Sequence, residues 1–262
     1  MGYAGVATGA LALVYTGTLH TAYMRATEPG NGPERAPRYD VSLLIPAYNE
    51  EKYIGKLLDS AATQSEPFAD YVVANSGDDG TEAIALDAGA VVVPCEYGNI
   101  SASRNAAADA AQGEILIFCD ADMCLSGRFV EQCVDALESG YACAVPSTLF
   151  YDSPLWNLLS WGPRQVRHAF WPQLTLGIVA VWREVYEEIG GYDINCNPMD
   201  LENQCREDRD FGDRITARYG SNVIKGLPDL ATTSARRIKA YGLLAIQSFD
   251  ETPRHYLDTG RM

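Results

Sequence analysis

Lysine is scarce in this chain of 262 residues, and acidic residues outnumber basic ones. The sequence has 35 Asp and Glu against 20 Lys and Arg, which gives a formal net charge of −15 at pH 7. A protein that binds nucleic acid normally presents a basic face to the phosphate backbone. The charge balance therefore argues against nucleic acid as a partner.

A Cys-x-x-Cys pair is also missing, although the chain has seven cysteines. The number is odd, and several cysteines fall in apolar segments where a small buried side chain packs well. We therefore expect reduced thiols in a cytoplasmic compartment, without a zinc site or a disulfide framework. The seven are Cys95, Cys119, Cys124, Cys133, Cys143, Cys196 and Cys205.

Charged residues are absent from residues 2–24, apart from His20, which can be protonated. This stretch is long enough to cross a hydrocarbon core of about 30 Å, and it lacks the basic start of a cleaved signal peptide. Residues 1–24 are interpreted as a single-pass anchor in the cell membrane or, alternatively, as an added soluble helix. Arg25 and further arginines follow, so the positive-inside tendency would place the rest of the chain in the cytoplasm. Residues 25–40, rich in Pro, Gly and charge, predict a linker.

Short apolar runs alternate with helical patterns in the next part of the chain. The predicted strands are residues 41–45, 71–74, 90–94 and 113–119. Pro46 should end the first strand, and residues 99–112 predict one of the helices. This alternation predicts an α/β fold with a Rossmann-like, mainly parallel sheet that helices cover on both faces.

The fourth apolar run ends in Asp120-Ala121-Asp122. Ligands of open α/β sheets bind beyond the carboxyl ends of the strands, so these acids should lie in the ligand crevice. Two carboxylates there suit a hard divalent cation, and such a cation suits the diphosphate of a nucleotide. An isolated Asp-x-Asp is more often a solvated acidic turn, so the surrounding motifs decide between the two interpretations.

Six short motifs resemble, in the same order, those of family 2 glycosyltransferases, which use nucleotide sugars and have the GT-A fold. The motifs are residues 45–51, 75–81, 103–105, 119–122, 183–193 and 207–210. The resemblance extends from residue 41 to about residue 240. It implies a GT-A domain over residues 41–250, with a nucleotide-binding half (41–125), an acceptor-binding half (126–250) and a tail (251–262).

The resemblance also implies a role for each matching residue. Asp122, together with Asp120, would hold Mn²⁺ or Mg²⁺, which neutralises charge on the leaving phosphate. Asp208 would be the general base that takes the proton from the acceptor hydroxyl, with Glu207 and Asp210 beside it. The implied donor-binding residues are Pro46, Tyr48, Glu50, Asn75, Asp79, Arg104, Asp120 and Arg236.

Several of these roles have structural alternatives. Arg104 would meet a phosphate near a helix start, or it is a surface arginine. Arg236 would reach the diphosphate when a C-terminal loop closes, or it lies on an exposed helix. The family usually has an aspartate in the base-reading loop where this chain has Ala74 and Asn75. Asn75 therefore either contacts the nucleobase or serves as a turn residue, and uridine becomes a less secure donor base.

Residues 151–182 contain all four tryptophans, with Arg164, Arg167 and His168 among them. The tryptophans are Trp156, Trp161, Trp171 and Trp182. Trp and Arg are common where apolar and wet surfaces meet, so the segment predicts an interfacial site for a lipid-linked acceptor. The alternative is a helix that packs on the core and exposes a few aromatics.

The sequence thus predicts a membrane-tethered, metal-dependent, inverting glycosyltransferase of the hexosyltransferase type. The donor would be a nucleotide sugar, and the acceptor a sugar, a lipid-linked glycan or a protein-linked glycan. The Gln-x-x-Arg-Trp motif of processive synthases is absent, which favours single addition. The alternatives are a metal-dependent nucleotidyltransferase and a non-catalytic module that binds nucleotide sugars or glycans.

Overall fold

The computed structural model describes residues 15–172, 177–196, 205–236 and 239. Its strands are β1 (Val41–Ala47), β2 (Asp70–Asn75), β3 (Val91–Pro94), β4 (Ile115–Cys119), β5 (Met123–Leu125), β6 (Cys143–Phe150), β7 (Ile178–Trp182) and β8 (Ile224–Thr233). Its helices are α1 (residues 15–26), α2 (Ile54–Ala62), α3 (Thr81–Asp87), α4 (Ile100–Ala110), α5 (Phe129–Glu138), α6 (Pro154–Phe170), α7 (Arg183–Glu188) and α8 (Glu207–Tyr219). The strands form one sheet in the order β3-β2-β1-β4-β7-β6-β8-β5.

The first four strands form the parallel half of the sheet that the sequence predicts. β1 pairs in parallel with β2 and with β4, and β2 pairs in parallel with β3. All five residues of β4 are buried, as expected for a central strand that is covered on both faces. The prediction that Pro46 ends β1 is wrong, because Pro46 pairs in register with Ala74. β1 pairs with β4 only as far as Leu44. Pro46 therefore has a paired strand on one side only, and its missing N–H breaks no hydrogen bond with β4.

The other half of the sheet is mixed. β7 runs antiparallel to β4 and to β6, and β5 runs antiparallel to β8, whereas β6 and β8 are parallel. The prediction of a mainly parallel sheet therefore holds for β1 to β4 and does not extend to the rest. β7 lies between β4 and β6, so it joins the two halves into a single sheet.

Helices cover both faces of the sheet, as predicted. On one face, residues of α2 and α5 pack on alternate residues of β4, including Ile115 and Ile117. On the other face, residues of α4, α7 and α8 pack on Leu116 and Phe118. The alternation follows from the two-residue period of a strand. Each fully buried Leu, Ile or Phe contributes about 1.5–3 kcal/mol to folding, so this double core holds β4 rigidly in place.

The start of the described chain packs on the domain. Tyr15 in α1 contacts the ring of Trp161 in α6, with ring centroids 5.6 Å apart. Leu19, Ala22 and Ala26 are buried in the same cluster. None of the helices in the described residues is both long and apolar enough for a membrane span. Residues 1–14, which include much of the predicted anchor, lie outside the described residues.

Residues 27–40, which belong to the predicted linker, form no helix or strand but are bonded to the domain. Arg38 donates hydrogen bonds from its backbone N and its guanidinium group to Glu66. Arg35 forms an ion pair with Glu131. Hydrogen bonds from Arg128 and Arg35 lower the pKa of Glu131 to about 2, although burial acts in the opposite direction. These ion pairs fix the approach of the chain to β1.

Cysteine pairing differs from the expectation in one place. Cys196 and Cys205 form a disulfide, with their Cα atoms 5.0 Å apart. The expectation of reduced thiols throughout is wrong for this pair. Cys205, just before α8, lies next to Cys196, which follows α7. The remaining cysteines are free, and Cys119, Cys133 and Cys143 are buried in the core, as expected.

Candidate functional site

Side chains of the predicted motifs follow three parallel strands at one edge of the sheet. β1 leads into Tyr48 and Glu50, β2 ends at Asn75, and Asp120 and Asp122 follow β4. The carboxyl ends of parallel strands meet at the same edge, where open α/β sheets bind their ligands. The start of α8 and the end of β8 are joined to this edge by ion pairs.

A buried arginine makes the first of these connections. Arg104 in α4 is 3% exposed, and its Nη1 donates hydrogen bonds to Glu207 and Asp208, each at 3.0 Å. Its Nη2 lies 3.5 Å from Oδ1 of Asp120. One guanidinium group therefore contacts acids from both halves of the domain. The alternative of a surface arginine fails, and carboxylates occupy the positions where the sequence predicted a phosphate.

Asp208 lies at the start of α8, and its side chain is still 29% exposed. Burial raises the pKa of its carboxyl group well above the ordinary value; Arg104 opposes this shift, while the charges of Glu207 and Asp120 add to it. A raised pKa makes a carboxylate a stronger base. The environment of Asp208 therefore suits a group that accepts a proton from a hydroxyl.

Arg236 makes the second connection, at the end of β8. Its Nη atoms donate hydrogen bonds to both carboxylate oxygens of Glu50, at 2.7 and 2.6 Å. Its Nε lies 3.2 Å from Oδ2 of Asp122, and the hydroxyl of Thr233 donates to Oδ1 of the same residue. The guanidinium group also lies over the ring of Tyr53. Arg236 is helical but not exposed, since its guanidinium group joins the loop after β1 to the acid after β4.

The loop after β2 is held by its own polar side chains. The amide of Asn75 accepts from the backbone N of Gly77 and donates to its carbonyl, which favours the turn interpretation of Asn75. Asp79 accepts from the backbone N of Thr81 and from that of Glu51. Burial would raise the pKa of Asp79, but these hydrogen bonds and one from the Thr81 hydroxyl outweigh it and lower the pKa. Asp79 therefore ties this loop to the loop after β1.

Tyr48 has an aromatic neighbour that the sequence analysis missed. The ring of Tyr97 lies with its centroid 4.1 Å from that of Tyr48, and Tyr97 is 43% exposed. Tyr97 follows β3 just as the other site residues follow β1, β2 and β4. The same rule about strand ends could therefore have found it. The two rings together form an aromatic surface at the carboxyl edge of the sheet, of the kind on which a nucleobase stacks.

Asp120 and Asp122 are the residues that the sequence predicts to hold a divalent cation. Within the part of the chain that the structure describes, no cluster of three or more His, Cys, Asp or Glu side chains could hold a metal by itself. Mg²⁺, however, is commonly bound by one or two carboxylates together with substrate phosphates and water. In the structure, Nε of Arg236 lies 3.2 Å from Oδ2 of Asp122, so the carboxylate already has a positively charged partner.

The sheet and its acidic edge define an α/β protein of the nucleotide-binding kind. The model of the family described as "Glycosyl transferase family 2" matches residues 42–175, which is about half of the chain. The chain belongs to this family, and the resemblance that the motifs indicated is confirmed.

Curated relatives match a shorter region. Glycosyltransferase AglE of Haloferax volcanii is 32% identical over 106 residues, which cover 37% of this chain and 35% of AglE. The 4,4'-diaponeurosporenoate glycosyltransferase of Staphylococcus haemolyticus is 36% identical over 109 residues, which cover 39% of this chain and 28% of that protein. The match thus spans about a third of the length of these relatives.

Solved structures share the fold at low sequence identity. S. aureus TarS 1–349 in complex with UDP-GlcNAc superposes with a TM-score of 0.58 and 18% identity, covering 74% of this chain and 58% of that chain. Glucosyl-3-phosphoglycerate synthase from Mycobacterium tuberculosis, in complex with Mn²⁺, UDP and glucosyl-3-phosphoglycerate, superposes with a TM-score of 0.55 and 19% identity. This match covers 82% of this chain and 81% of that chain. The mixed, Rossmann-like α/β fold of this chain is therefore that of glycosyltransferases of the GT-A type.

Proposed function

We propose that the protein transfers a sugar from a nucleotide-diphosphate sugar to an acceptor hydroxyl, by single displacement with inversion. Asp208 is the general base, and Asp120 and Asp122 lie on the donor side. The observation that carries this proposal is the position of Arg104, which contacts Asp120 and Asp208 through the same guanidinium group. A base and a donor-binding acid are thereby held within reach of one reacting centre.

The donor lies along the carboxyl edge of the sheet in this proposal. Tyr48 and Tyr97 provide the aromatic surface for the nucleobase. Asp122 and Asp120 would hold Mn²⁺ or Mg²⁺, which would supply positive charge opposite the leaving diphosphate. Arg236 reaches the same diphosphate once it leaves Asp122. The solved neighbours that contain UDP or UDP-GlcNAc make uridine nucleotides the first donors to test.

Product analysis tests this function directly. The full chain is incubated with Mn²⁺ and UDP-glucose, UDP-GlcNAc, GDP-mannose or dTDP-glucose, with octyl glycosides as acceptors and water as the background acceptor. We expect release of the nucleoside diphosphate from one donor, faster with a glycoside than with water. Release of pyrophosphate in a parallel incubation with a nucleoside triphosphate and a sugar 1-phosphate would instead identify a nucleotidyltransferase. Donor binding without any release would identify a non-catalytic module.

We also propose that α6 contacts a lipid surface and brings the site to a lipid-linked acceptor. Large apolar side chains are exposed at helical spacing along α6 and just after it. They are Leu155, Leu158, Leu159, Val166, Phe170 and Trp171. The last part of the predicted anchor, residues 15–24, belongs to α1 and packs on α6, so an anchor and this face would lie on the same side. A membrane-facing helix and a cytoplasmic domain are consistent with that arrangement.

Vesicle sedimentation tests the α6 contact. The full chain is mixed with vesicles of phosphatidylcholine and phosphatidylglycerol, and the double variant Leu159→Glu, Phe170→Glu is compared with it. Burial of each apolar side chain in the lipid contributes about 1.5–3 kcal/mol. Partitioning of the double variant into the vesicles should therefore be at least about tenfold weaker than that of the unchanged protein. Leu86→Glu is the control, since Leu86 is an exposed apolar residue of α3. Equal partitioning of all three proteins would contradict the contact.

A further inference from the structure

Arg104 binds more negative charge than a structural ion pair requires. Its guanidinium group contacts Glu207, Asp208 and Asp120, so three carboxylates share one buried cation. Buried ion pairs seldom add net stability, because desolvation offsets their attraction. An excess of carboxylates adds repulsion to that cost. Stability alone therefore does not explain why these acids converge on Arg104.

The surroundings of Arg104 hold it in one place. The guanidinium group lies over the ring of Tyr192, 4.9 Å from its centroid. That ring stacks on Phe211 of α8, at 4.3 Å and an interplanar angle of 11°, and meets Phe118 of β4 edge-on. Arg104 thus rests on an aromatic stack that is built from the same elements that carry its acidic partners.

The neighbour of Arg104 fixes this aromatic stack to α4. The side chain of Asn105 accepts a hydrogen bond from the backbone N of Tyr192 and donates one to its carbonyl. Gly191, at φ +69°, approaches so closely that a Cβ would lie 3.0 Å from Oδ1 of Asn105 and 2.8 Å from the hydroxyl of Tyr186. Consecutive residues of α4 therefore position the stack and the guanidinium group together.

From this geometry we propose that Arg104 is a positioning residue, which holds the carboxylate of Asp208 at a fixed place relative to the donor-binding acid Asp120. It does so without contacting the donor phosphates itself. The inference rests on the proposed role of Asp208 as base. It revises the role that the sequence suggested for Arg104, because the hydrogen bonds of its Nη1 are directed to α8 rather than to a ligand.

Steady-state kinetics of Arg104 variants test the proposal. Since a displacement of about 1 Å at a reacting group costs on the order of 100-fold in rate, Arg104→Gln should lower kcat about 100-fold. The KM for the donor should change less than about threefold, because a positioning residue acts on the transition state rather than on donor binding. Arg104→Lys should recover only part of kcat, since an ammonium group lacks the planar fork of donors. Arg209→Gln is the control, an exposed arginine beside Asp208 that pairs with Asp213.

Two Tyr192 variants provide a test in which Arg104 itself is unchanged. In the described part of the chain, the Tyr192 hydroxyl is buried without a hydrogen-bond partner. Tyr192→Phe should therefore keep kcat, whereas Tyr192→Leu removes the ring under the guanidinium group and should lower kcat at least about tenfold. Circular dichroism and thermal unfolding identify variants that do not fold. Equal kcat in folded Tyr192→Leu and Tyr192→Phe would overturn the proposal.

The outcomes separate this proposal from the proposed function. A rise in donor KM in Arg104→Gln with an unchanged kcat would make Arg104 a donor ligand and overturn the positioning role. If Asp208→Asn keeps full transfer, the base assignment itself is wrong. If Asp208→Asn loses transfer while Arg104→Gln keeps kcat, only the inference about Arg104 is wrong.

Discussion

Asp208→Asn should lower kcat for sugar transfer by about 1,000-fold, within the usual range for the loss of a general base. An amide cannot take up the proton of the acceptor hydroxyl, whereas its size is nearly that of the carboxylate and its oxygen can still accept a hydrogen bond from Arg104. Binding of UDP with Mn²⁺, measured by calorimetry, should stay within about threefold of the unchanged protein, because the proposed role of Asp208 is to accept a proton from the acceptor hydroxyl and not to bind the donor. Asp213→Asn is the matched control, since Asp213 is an exposed acid of the same helix.

The pH dependence gives an independent check on the same residue. The base must be ionised to act, so the rate should rise as the pH increases through the pKa of Asp208. Burial raises that pKa, so the acidic limb should lie above the ordinary range of an aspartate. An equal loss of transfer and of UDP binding in Asp208→Asn would contradict the role of base and indicate a disturbed cleft.

The sequence was sufficient to predict the parallel half of the fold. The strands β1 to β4 are short apolar runs that alternate with helices, and this alternation predicts parallel pairing. Their order in the sheet, with β4 beside β1 rather than beside β3, was not predicted. The acids after β4 follow from the same rule about strand ends. The mixed half could not be predicted in this way. The pairing of β6 with β8 joins segments that are distant in sequence, and periodicity contains no information on which partner a strand finds.

The candidate site was predicted as a set of residues rather than as a set of contacts. Asp120, Asp208 and Arg236 were identified through motifs, but their partners were not. Arg104 lies 103 residues from Glu207, and Arg236 lies 186 residues from Glu50. Such ion pairs depend on tertiary packing, which local patterns do not specify. Tyr97 was missed for a different reason: it belongs to none of the six motifs, and only its position after β3 could have indicated it.

A last expected result concerns the cation. Asp122→Asn should weaken binding of Mn²⁺ in the presence of UDP at least about tenfold and lower kcat about 100-fold, because a metal ion contributes several kcal/mol of charge stabilisation at the leaving group. Binding is measured by calorimetry, and a chelator should remove the activity of the unchanged protein. Asp59→Asn, an exposed acid of α2, is the control and should leave both quantities unchanged.

A variant of Arg236 provides a second test of the cation site, because Arg236 would compete with the cation for the carboxylate of Asp122. Its Nε pairs with Asp122 in the structure, so Mn²⁺ must displace it. Arg236→Gln should therefore tighten binding of Mn²⁺ alone, while weakening binding of UDP with Mn²⁺, since the displaced guanidinium group is expected to meet the diphosphate. Opposite changes in the two affinities would distinguish this exchange from a purely structural role, in which both would weaken together. If Mn²⁺ alone binds equally well with and without Arg236, Arg236 does not compete with the cation for Asp122.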